Sequence, residues 1–99
     1  MLHIVNRSPF ERNSLETCLR MVQTGSAILL IEDGVIAATK GTPFADRLAG
    51  LPDQVAVYAL GPDLDARGLR ERTAAGIRIV DYGGFVDLVT ENSTVQSWL

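Results

Sequence analysis

The 99 residues, 46% hydrophobic and 21% charged, have the composition of one soluble globular domain, residues 1–99, with a single modest core. Nine Lys and Arg against twelve Asp and Glu leave a formal net charge of −3, with Lys40 the single lysine, so the clustered cations of a nucleic-acid surface are missing. One cysteine excludes an internal disulfide framework.

The segment LHIVN (2–6) is short, apolar and β-branched, and RSPF breaks it, which predicts an opening strand. SLETCLRMVQ follows as a helix, capped by Asn13 with Glu16 three residues on, or by the hydroxyl of Ser14. Its expected end is near Thr24, with Gly25 as the left-handed residue after it. At 100° per residue, Leu15, Cys18, Leu19 and Val22 share one arc, which marks a buried stripe. SAILLIEDG (26–34) carries a near-continuous apolar run, the pattern of a strand covered on both faces in a parallel sheet.

GTPFADRLAGL (41–51) predicts a short helix with Thr42 as cap and Pro43 at its first position. QVAVYAL (54–60) is a third strand closed by Gly61 and Pro62, and PDLDARGL (62–69) a further helical turn ended by Gly68. GIRIVDY (76–82) is a fourth strand. GFVDLVTEN (84–92) is a last amphipathic helix with Phe85, Leu88 and Val89 inward, and STVQSWL is left as a tail. Strands and helices alternating every 25 residues or so imply right-handed crossovers onto a mainly parallel sheet. The expected class is α/β: a small, three-layer Rossmann-like or flavodoxin-like fold with four strands.

The first strand is followed by NRSPF rather than a glycine-rich phosphate turn, and no P-loop pattern occurs. One histidine and one cysteine cannot assemble a zinc set. No metal or cofactor is therefore expected. His3, inside the first strand, reads as a satisfied structural histidine. A Cys–His pair for acyl transfer lacks any sign of a group to orient the base. Glu32 and Asp33 lie where open α/β sheets place ligand crevices, but EDG is also turn chemistry, and the turn is the favoured reading. The start of the chain lacks a signal-peptide pattern and AILLI is too short to cross a bilayer, so a cytoplasmic protein off the membrane is expected.

Four stretches in order, LHIVNRSPF, LLIEDGVIAA, VYALGPDLDARGL and IVDYGGFVDLV, followed by an aromatic tail at Trp98, resemble the DsrH/TusB family over essentially the whole chain. The resemblance implies the DsrE-like fold and a subunit of a sulfurtransferase. In such an assembly DsrE/TusD-like and DsrF/TusC-like partners complete a heterohexamer, a dimer of trimers. Persulfide sulfur then passes to a DsrC/TusE-like carrier. Two branches exist, cytoplasmic sulfur oxidation and tRNA 2-thiouridine synthesis. SPFERNSLETCL, with Cys18 in place, is closer to the DsrH pattern, which favours the oxidation branch; the TusB reading and a purely structural subunit are the alternatives. The family's main sulfur-carrying cysteine belongs to the DsrE or TusD subunit, so this chain is not expected to be the principal donor. The apolar surplus, including Phe44, Trp98 and Leu99, is expected to serve subunit contacts.

Cys18 thus has two readings. A persulfide carrier needs a thiolate, which a helix start favours within about its first turn. Cys18 stands at the edge of that range, and Arg12 and Arg20 are offset by Glu11 and Glu16. A small hydrophobe on a buried stripe is the alternative, favoured on the residues alone. An apolar face that meets another subunit would reconcile the two, leaving Cys18 as a candidate accessory thiol.

Overall fold

Five short strands form one parallel sheet. The computed structural model describes residues 1–52 and 54–98. The strands are β1 (Leu2–Val5), β2 (Ala27–Leu30), β3 (Ala56–Leu60), β4 (Arg78–Val80) and β5 (Val95–Trp98), in the spatial order β4-β3-β2-β1-β5. The helices are α1 (Ser14–Met21), α2 (Pro43–Ala49), α3 (Gly61–Ala66) and α4 (Tyr82–Glu91), with a 3-10 segment Glu32–Ala38 after β2 and a single turn Arg70–Arg72 after α3.

β2 lies between β1 and β3, and Ile28, Leu29 and Leu30 are fully buried, as expected of a strand covered on both faces. Strand alternation splits the interior in two. Val5, Ile28, Leu30, Val57 and Ala59 face Leu15, Cys18, Val35, Leu48 and Leu64, so α1, α2, α3 and the 3-10 segment cover one side. Leu2 and Leu29 face Leu88 on the other, with Ile4, Tyr58, Val80, Phe85 and Val89 around them, and α4 is the helix there. The three layers are unequal.

Local chemistry sets several boundaries as expected. Thr42 caps α2, its Oγ1 accepting the Ala45 N–H at 3.2 Å, and Pro43 is the first helical residue. α4 instead begins two residues earlier than expected, at Tyr82, and β4 ends at Val80 rather than running through Tyr82, because Asp81 caps the helix, its Oδ1 accepting the Gly84 N–H at 2.8 Å. Gly68 takes φ +65° just past α3.

Other boundaries differ as well. α1 stops at Met21, because Val22 is extended and turns its side chain onto the core; Gly25, at φ +89°, belongs to the turn into β2. At its start Asn13 occupies the cap position without a side-chain bond to the helix, Ser14 is the first helical residue and buried, and Glu16 reaches Arg47 of α2. Gly61 does not close β3 but begins α3. The tail is also a fifth strand, paired in parallel with β1 from Leu2–Val95 to Val5–Trp98.

Phe44 and Trp98 pack partly buried against the larger core, and Leu99 lies outside the described residues. Among the described residues, Phe10, Met21, Tyr82 and Val86 are the large apolar side chains more than half exposed, Phe10 standing edge-on to Phe44 with centroids 5.0 Å apart.

Candidate functional site

Cys18 is the fifth residue of α1, past the first turn, where the helix end no longer supplies much positive potential. Its side chain is 0% exposed, set among Leu15, Val5, Ile28 and Leu30 of the larger core. Burial pushes the thiol up to about 12, and no cation offsets it. At neutral pH the thiolate fraction is on the order of one in 10⁵, far below what nucleophilic sulfur transfer uses. In this chain the thiol fills space like a small hydrophobe.

His3 is 2% exposed, and its Nδ1 accepts the indole N–H of Trp98 at 3.1 Å. Burial first, and the α-amino group of Met1 second, hold the imidazole below its ordinary value. Its Nδ1 is thus committed to the last strand rather than to Cys18, consistent with a satisfied structural histidine. No cluster of three or more His, Cys, Asp or Glu able to hold a metal occurs among the described residues.

Glu32 and Asp33 sit at the carboxyl end of β2, where they open the 3-10 segment. They are not a facing acid–base pair. Glu32 takes the left-handed region at φ +50°, and its N–H donates to Asp63 Oδ2 at 2.6 Å. Asp33 Oδ1 accepts from Arg67 Nε at 3.0 Å and Nη2 at 2.8 Å, while Arg67 Nη1 donates to the Asp63 carbonyl at 3.1 Å. The three charged residues stitch α3 to the exit of β2. That is turn chemistry reinforced by an ion pair, and the expected turn reading agrees with it.

Sequence reasoning passed over Gly34 as ordinary turn glycine. A Cβ there would stand 2.1 Å from the carbonyl oxygen of Val5, so the 3-10 segment rests directly on the end of β1. The signal was present in EDG, but it reads as a reversal rather than as a close approach of two backbones. The Trp98–His3 bond was equally hidden, because it joins residues 95 positions apart.

The family model described as "DsrH like protein" matches residues 7–95. Protein TusB of Pectobacterium parmentieri is 40% identical over 98 residues, 99% of this chain and 100% of that protein. Protein TusB of Enterobacter sp. (strain 638) is 41% identical over the same span and coverage. Among solved structures, the ychN protein from E. coli superposes with a TM-score of 0.81 at 20% identity, covering 97% of each chain. A protein of unknown function from Methanobacterium thermoautotrophicum gives 0.73 at 18% identity, over 97% of this chain and 95% of that one. At such identities the structural likenesses establish the fold alone.

Proposed function

The chain belongs to the DsrH/TusB family, and from that premise we propose that it is a TusB-type, non-donor subunit of a sulfur-relay complex serving tRNA 2-thiouridine synthesis. The observation that carries this reading is the full-length likeness, at about 40% identity, to proteins named TusB. Those relatives favour the tRNA branch over cytoplasmic sulfur oxidation. The contrary preference in the sequence rested on Cys18, and a thiol sunk in the core is a poor marker of the oxidation branch.

The burial of Cys18 supports the non-donor part. Sulfur transfer needs an accessible thiolate, and Cys18 has neither access nor a favourable charge environment. Sulfane sulfur would therefore travel through the cysteine of a TusD-like partner and on to a TusE-like carrier, with this chain completing the assembly beside a TusC-like subunit. Exposed Phe10, Met21, Tyr82 and Val86 supply apolar surface for such contacts.

Co-expression with TusC- and TusD-like subunits is expected to yield a stable complex that contains this chain. After incubation of that complex with a persulfide donor, intact-mass spectrometry should place the added sulfur, about 32 Da per atom, on the TusD-like subunit and none on this one. Failure to associate, or stoichiometric persulfide on Cys18, would remove the proposal.

A further inference from the structure

His3 and Trp98 tie the first strand to the last. Trp98 Nε1–H donates to His3 Nδ1 at 3.1 Å, and the rings stack with centroids 6.1 Å apart and 27° between planes. An indole nitrogen can only donate, so its partner must offer a free lone pair; an imidazolium has none. A proton on Nδ1 and the indole of Trp98 therefore compete for one lone pair.

Besides its four-residue ladder with β1, β5 is held by this bond and by the packing of Trp98. It is an edge strand with β1 as its one neighbour, and Val95, Gln96 and Ser97 are exposed. Trp98 is its one residue packed against the larger core. We propose that His3 and Trp98 form a proton-controlled latch, in which protonation of His3 expels the indole N–H, frees β5 and uncovers the hydrogen-bonding edge of β1.

The surroundings of the ring suit that role. Met1, Met21, Gln23, Ser26, Gln96 and Trp98 line, with His3, a cavity of about 240 Å³, and none of these side chains titrates or carries charge. The α-amino group of Met1 is the charged group acting on the ring, and it opposes a second positive charge. Burial opposes it too, so His3 titrates below its ordinary 6.5. Since the imidazole is more acidic folded than unfolded, the docked state has its full stability above pH 6.5. That stability declines as pH falls towards the folded value. Binding of the proton and docking of β5 are reciprocal: each weakens the other by the same factor.

One histidine and one tryptophan in the whole chain make both reporters unambiguous. Proton NMR of the full chain, titrated from about pH 8 to about pH 5, follows the His3 Cε1–H and the Trp98 indole N–H together. The indole N–H and the β5 backbone amides are expected to lose protection from solvent exchange with the same midpoint as His3. His3→Gln keeps an acceptor that does not titrate, and should hold the indole protected across the range. An indole that stays protected while His3 titrates overturns the latch. So does a His3→Gln chain that loses protection at the wild-type midpoint, or a His3 that stays neutral until the entire chain unfolds.

Discussion

Gly34→Ala is expected to destabilise the fold by about 3 kcal/mol or more, at the upper end of overpacking effects. The added Cβ would lie 2.1 Å from the Val5 carbonyl oxygen and 2.9 Å from its carbon, and both obstacles are backbone rather than a side chain that could swing away. Neither partner can move cheaply. Val5 sits in the sheet between β2 and β5, and its carbonyl also accepts the Ile31 N–H at 3.0 Å. Gly34 is itself pinned, its N–H donating to the Ile31 carbonyl at 2.8 Å. Gly41→Ala is the matched control: φ is +80° but a Cβ there meets nothing, so about 1 kcal/mol of backbone strain is the whole expected cost. Urea unfolding of the two variants separates close approach from φ strain. A Gly34→Ala chain no less stable than Gly41→Ala would contradict the packing of the 3-10 segment on β1.

Leu64→Ala is expected to cost about 3 kcal/mol, within the range for a fully buried leucine. α3 has six residues, far too few to persist without docking, and Leu64 is its one fully buried side chain. Its loss removes packing from the larger core and loosens the helix that carries Asp63 and leads into Arg67. The bonds from Glu32 N–H to Asp63 and from Arg67 to Asp33 should then open with it. Asp33→Asn, by contrast, weakens a pair whose acid is about half exposed, and under about 1 kcal/mol is expected. Denaturant unfolding combined with amide exchange over residues 60–67 checks both. Equal costs for the two variants would mean that charge, not burial, seats α3.

The parallel α/β plan was legible because β2 is apolar on both faces and because Thr42-Pro43 and the glycines after the helices punctuate the chain plainly. β5 escaped notice for a physical reason. Its four residues mix apolar and polar side chains on each face, with Val95 and Ser97 on one and Gln96 and Trp98 on the other, so no period stands out. What makes it a strand is β1, more than 90 residues away in the chain, and no local pattern encodes that. The shortened α1 has a similar origin, since tertiary packing of Val22 overrides the helical periodicity that continues through it.

The candidate thiol was legible as a position but not as a chemical state. A cysteine on a stripe with Leu15, Leu19 and Val22 fits both a core and a subunit interface. The choice between them depends on what lies above α1, and in this chain that is the sheet, with Val5, Ile28 and Leu30 around the sulfur. The carboxylates show the reverse. EDG announced a turn, and the turn is there, but its pairing with Asp63 and Arg67 comes from residues about thirty positions later.

Replacing Cys18 with alanine, in a complex assembled from this chain and its TusC- and TusD-like partners, puts the sealed-sulfur account at most risk. The rate at which that complex loads a TusE-like acceptor should match the unmodified complex, because the atom removed never leaves the interior. A complex that still assembles but no longer delivers sulfur would show that the interior thiol is chemically engaged after all.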